Sequence, residues 1–186
     1  MSLQVELLEE SFEKVKPQAD DFVNSFYDNL FTAHPEAKPL FANTDMAGQK
    51  KKLLASLVLV VDNLREPDTL SGALKGLGAK HVQYGALPEH YPLVGEALLK
   101  TFEQYLQKDW TSEVKQAWVD AYGAITELML SGADYSAEEV ELKPTATVPA
   151  NLQTIPPAPE GKINFGLAGG LFGSAGLITV LLLLIA

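Results

Sequence analysis

Residues 1 to 143 carry apolar side chains at helical spacing in one segment after another, and no segment of any length alternates apolar with polar as a half-buried strand would. Leu8, Phe12 and Val15 form the first stripe, broken at Pro17, and Phe22, Phe26 and Leu30 form the second. A turn-rich piece, HPEAKPLFANTDMAG, follows. Leu53, Leu54, Leu57, Val58, Val61 and Leu64 then define a strongly apolar helix that stops near REPD, and the next helix, over 69 to 84, is ended by Gly85 and Pro88. Two long helices close the region, with stripes at Val94, Leu98, Phe102 and Tyr105 and at Val114, Trp118, Ile125 and Met129. A chain patterned in this way is all-α around one core, and it is long enough to hold that core without covalent staples.

Charge and cysteine content narrow the chemistry. There are no cysteines, which excludes disulfides, thiolate metal sites and a cysteine nucleophile. The formal charge is −10, and from Pro144 onward only Glu160 and Lys162 are charged, so the excess sits on residues 1–143. Such a surface repels nucleic acid, which is not expected as a partner. The one basic cluster, Lys50, Lys51 and Lys52, reads as a solvated helix face or as a flank to an acidic ligand group at a pocket mouth. The beginning of the chain carries Glu6, Glu9 and Glu10 where a secretory signal needs a basic end and an apolar run.

Beyond Lys143 the composition changes abruptly. Residues 144–164 read as a flexible linker, with Pro144, Pro149, Pro156, Pro157 and Pro159 giving polyproline II character. Residues 165–186, FGLAGGLFGSAGLITVLLLLIA, hold no charge. At ~1.5 Å rise per residue they match a bilayer core of ~30 Å, so they are expected to form a transmembrane tail anchor. Lys162 just before the span, and a beginning unlike a secretory signal, lead to the expectation that residues 1–143 face the cytoplasm. Gly166 and Gly170, and Gly169 and Gly173, are four apart, the spacing that lets two such spans approach as a homodimer.

His81 lies eleven residues after Leu70, three helical turns, and so shares an azimuth with an apolar stripe. It is either a core histidine bonded to a neighbouring carbonyl or a ligand. A flat macrocycle clamped between helices explains the second, because haem iron takes a neutral imidazole on one side and apolar walls around it. Gln49 at the head of the apolar helix, Leu53 one turn later, Tyr27 on the second helix and Phe41 in the turn-rich piece supply the rest of such a pocket.

The motifs FYDNLF, KPLF, AGQKKKLL, KHVQYG, HYPLVG and AWVDAYG, spread over residues 3 to 131, resemble those of bacterial single-domain globins similar to the haem domain of flavohaemoglobins. The resemblance implies a three-over-three helical sandwich around haem b. It makes His81 the proximal iron ligand, Phe41 the phenylalanine on the haem, Gln49 and Tyr27 the distal donors, Leu53 their apolar neighbour, and Tyr91 the tyrosine beside the proximal imidazole. One position departs: the glutamate that bonds the proximal histidine in flavohaemoglobins falls at Ala133, with Asp134 adjacent. The flavin and nicotinamide domains have no counterpart in these residues, so turnover would call on an external reductase.

Three functions follow from the resemblance. The first is a membrane-tethered globin that reversibly binds O2, and NO or CO, near membrane oxidases. The second is a nitric oxide dioxygenase served by a separate reductase. The third is a gas or redox sensor, or an electron-transfer globin, in which Tyr27, Gln49 or Lys52 takes the sixth coordination position.

Overall fold

The computed structural model describes residues 3–133, which form six α-helices joined by short turns; among these residues there is no strand. The linker, the expected span 165–186, its glycine pairs and Asp134 lie outside the described residues. Among the described residues no helix is long and apolar enough to cross a membrane.

Helix α1 is Val5–Val15, and Pro17 falls in a 3-10 turn, Lys16–Gln18, that leads into α2, Ala19–Ala33. The turn-rich piece becomes a 3-10 segment, Pro35–Phe41, in which Pro39 stops an α-helix from forming. Helix α3, Met46–Asp62, begins three residues before Gln49, because Asp45 caps it: the carboxylate accepts from Ala47 N–H and Gly48 N–H, each at 3.1 Å. Helix α4, Pro67–Gln83, starts at a proline, which suits the first turn, and ends before Gly85 at φ 78°. Helices α5, His90–Leu106, and α6, Ser112–Gly132, close the fold; Thr111 caps α6 by accepting from Val114 N–H at 3.3 Å.

The core is aromatic where α2, α5 and α6 meet. Phe102 is fully buried and stacks on Trp118 with centroids 4.0 Å apart, while Phe22 packs against Phe102 at 4.8 Å. Polar atoms taken into this part of the core are paired. Trp118 Nε1–H donates to Ser11 Oγ at 2.9 Å, and Ser11 donates to Leu7 carbonyl at 2.6 Å. Asn29 of α2 donates to Thr101 Oγ1 at 3.0 Å and to Gln104 Oε1 at 2.9 Å, which locks α2 on α5.

Two glycines set the position of α4. A Cβ on Gly78 would lie 1.9 Å from Met129 carbonyl oxygen, and one on Gly132 would lie 2.3 Å from Lys75 carbonyl oxygen. Helices α4 and α6 therefore touch backbone to backbone. Helix α3 packs instead on α2 and α1 and makes little contact with α4. Its apolar residues Leu53, Leu54, Leu57 and Val58 are only half-buried, whereas Val60 and Val61 at its end are buried. The apolar side chains in the middle of α3 are therefore left partly uncovered.

Candidate functional site

His81 sits in the last turn of α4, mostly buried, with its Nδ1 2.9 Å from Leu77 carbonyl oxygen. A carbonyl only accepts, so Nδ1 carries the proton and donates, which leaves the Nε2 lone pair bare. Burial pushes the imidazole below its ordinary pKa, since a charged ring would lose water, and the bond to Leu77 opposes this only in part. A neutral ring with one bare nitrogen is the state an iron ligand needs. The Tyr91 ring lies 6.3 Å from the His81 ring, tilted by 35°. Tyr91 is itself fixed by α6: Tyr122 hydroxyl donates to Tyr91 carbonyl at 2.6 Å, and its ring lies so close over Gly95 that a Cβ there would be 2.5 Å away. Tyr122 and the glycines Gly78 and Gly132 were not singled out by sequence reasoning. Tyr122 lies within AWVDAYG, but only the folded contact gives it a partner.

A second group forms on α2, α3 and the 3-10 segment between them. Tyr27 is buried, and its ring meets Phe41 edge-on at 5.7 Å and lies tilted by 35° against Phe31 at 5.8 Å. Its hydroxyl is hydrogen-bonded by the Gln49 side chain, which reaches it from the first turn of α3. Burial raises the phenol from 10.0 to about 12, with Gln49 lowering it slightly, so the hydroxyl keeps its proton at any physiological pH. Leu53, one turn beyond Gln49, packs half-buried against the core, as Phe41 does.

Of the residues singled out from the sequence, Tyr27, Phe41 and Gln49 thus come together, and His81 and Tyr91 form a separate pair. Ala133 terminates α6 and brings no carboxylate. The other histidines are committed elsewhere: His90 Nδ1 accepts from Leu87 N–H at 3.0 Å, and His34 lies against Glu36 and Glu96. Among the described residues no cluster of three histidine or carboxylate side chains could hold a bare metal ion.

Residues 24–129 match the globin family. The chain belongs to the globin family. Membership implies a haem iron cofactor. The residues fit one, since a neutral imidazole with a bare Nε2 ends the stripe of α4 and the apolar side chains Leu53, Leu54, Leu57 and Val58 of α3 are left half-buried. The globin is 35% identical over 109 residues to a flavohemoprotein of Rhizobium meliloti, a match covering 58% of this chain and 27% of that protein. It spans well under half the length of the flavohemoproteins it matches. Among solved structures, a bacterial globin of Campylobacter jejuni superposes with a TM-score of 0.61 at 27% identity, over 69% of this chain and 93% of that one. A Pseudomonas aeruginosa protein described as structurally homologous to human hemoglobin gives 0.63 at 26%, over 70% and 98%.

Proposed function

We propose that this globin binds dioxygen reversibly, with NO and CO as alternative ligands, at a haem b iron held by His81. The observation that carries the reading is the hydrogen bond of His81 Nδ1 to the neutral carbonyl of Leu77. A carboxylate at that nitrogen would make the imidazole more basic and push electron density toward a bound gas, which favours bond-breaking chemistry. A carbonyl does this weakly, so ligand storage and release suit the site better than turnover.

Ferrous haem supplies one open coordination position for a diatomic gas. Tyr27 would serve as the donor to that gas, with Gln49 either orienting the phenol or donating alongside it. If the Gln49 amide donates to the phenolic oxygen, the Tyr27 O–H proton is left to point into the pocket. Phe41, Leu53 and the apolar side of α3 keep water out, which strengthens each hydrogen bond made inside. Tyr91 limits rotation of the His81 ring from the other side.

The reading extends to the rest of the chain. The charge-free segment 165–186 is proposed as a membrane span, tethering the globin at the cytoplasmic face and associating through Gly166, Gly170, Gly169 and Gly173. A chain cut after Lys143 should remain in the aqueous fraction with its haem spectrum unchanged, while the full chain pellets with membranes. Recovery of the full chain in the aqueous fraction refutes the tether.

The central test is spectroscopic. Reduced protein should pass repeatedly between deoxygenated and oxygenated spectra as O2 is removed and returned. His81→Ala should lose stoichiometric haem, recovered only with added imidazole. Steady consumption of NO with an external reductase would move the conclusion to a dioxygenase. A six-coordinate spectrum in the absence of gas would move it to a sensor or electron carrier ligated by Tyr27, Gln49 or Lys52.

A further inference from the structure

Tyr84 follows the last residue of α4, and its backbone, at φ −86° and ψ 2°, closes the helix. Its ring meets the His81 ring edge-on, with centroids 6.2 Å apart and planes at 62°. Tyr84 is also 49% exposed, whereas Tyr91, the other phenol against His81, is 6% exposed. Tyr27 is buried on the far group, and Tyr105 and Tyr122 make no ring contact with His81. Among the described tyrosines, Tyr84 alone combines contact with the His81 ring and a path to water and to another molecule.

We propose that Tyr84 is the site at which haem seated on His81 draws an electron from the protein under hydrogen peroxide, and the residue through which two copies then become covalently joined. This rests on His81 being the iron ligand. Hydrogen peroxide meeting ferric haem supplies two oxidising equivalents. Each Tyr84 phenol gives one electron inward past the His81 ring and one proton outward to water. Two phenoxyl radicals, one from each chain, form a single carbon–carbon bond between ring carbons ortho to oxygen. The hydrogens on those carbons leave as the rings regain aromaticity and the phenols regain theirs. In sum two phenols and one hydrogen peroxide give one biphenol and two waters. A radical on Tyr91 could not complete this step, because its ring cannot meet that of a second chain.

The test uses the full chain loaded with haem, with His81 ligation established first by the ferrous spectrum and its loss in His81→Ala. Without that spectrum the haem reading itself fails, and this proposal with it. Ferric protein is then mixed with hydrogen peroxide and read by denaturing gel, dityrosine fluorescence and peptide mass mapping. The expected result is a covalent dimer cross-linked at Tyr84, lost in Tyr84→Phe and in the haem-free chain. The phenylalanine keeps the ring, so fold and haem spectrum should stay as they are. A cross-link at wild-type yield in Tyr84→Phe, one mapping to another tyrosine such as Tyr135, one forming equally without haem, or no dimer at all overturns the proposal.

Discussion

Substituting Gly78 by alanine tests how the position of His81 is set. The added methyl would come within 1.9 Å of Met129 carbonyl oxygen and 2.6 Å of its carbonyl carbon, about 1.5 Å short of ordinary contact at 3.4 Å. The atoms struck are backbone, so no rotamer change relieves the clash and α4 must move away from α6. Overpacking of this kind costs ~1–3 kcal/mol, and relief from glycine in a helix interior returns at most ~1 kcal/mol, so a net loss of roughly 1–2 kcal/mol is expected. Gly76 is the control: it lies in the same helix with nothing within 4 Å of the place its methyl would take, so Gly76→Ala should be neutral or stabilising by up to ~1 kcal/mol. Urea unfolding of the haem-free variants gives the stability difference. Because His81 is less than one turn beyond Gly78, the iron–histidine stretching band of the ferrous protein should shift in Gly78→Ala and not in Gly76→Ala. If the two variants unfold together and share one band, the close crossing of α4 and α6 does not position the ligand.

Tyr27→Phe should speed O2 dissociation about tenfold, the effect of losing a hydrogen bond of ~1.5 kcal/mol, as read by stopped-flow displacement; an unchanged rate would mean that the hydroxyl does not face the gas. Asp45→Ala removes the cap of α3 at a cost of ~1 kcal/mol, and because Gln49 stands in that first turn, O2 dissociation should quicken as well. Alkaline stability carries a signature of Tyr27: the folded phenol titrates at about 12 and the unfolded one at 10.0, so the unfolded chain loses its proton first as pH rises. That stabilisation is fully present below pH 10.0 and is lost as pH rises toward about 12, amounting to roughly 2–3 kcal/mol. Urea midpoints across this window should therefore fall less steeply in Tyr27→Phe than in the parent.

The order of helices was legible in the sequence because each buries one continuous face. Leu8, Phe12 and Val15, or Phe22, Phe26 and Leu30, repeat at helical spacing whatever they pack against, and all six are buried. His81 stood out for the same reason, an imidazole ending an apolar stripe. The starts of α3 and α4 shifted by two or three residues, because caps act through single side chains and proline geometry rather than through periodicity. The motif resemblance brought Tyr27, Gln49 and Phe41 forward as members of one site, and their contact required α2 and α3 to cross at the right height.

Tertiary structure decided the surroundings of His81. Leu77 carbonyl, one turn back on the same helix, is a partner that helix geometry alone offers to Nδ1, whereas the burial of the ring beside Tyr91 of α5 needs the whole fold. It also decided the roles of Gly78 and Gly132, since small residues look alike along a helix until another backbone arrives against them. Tyr84 and Tyr91 likewise read as two tyrosines near one histidine. Burial of one and exposure of the other depends on the packing of α5 against α6 and on where α4 ends, and these are long-range facts that local periodicity does not carry.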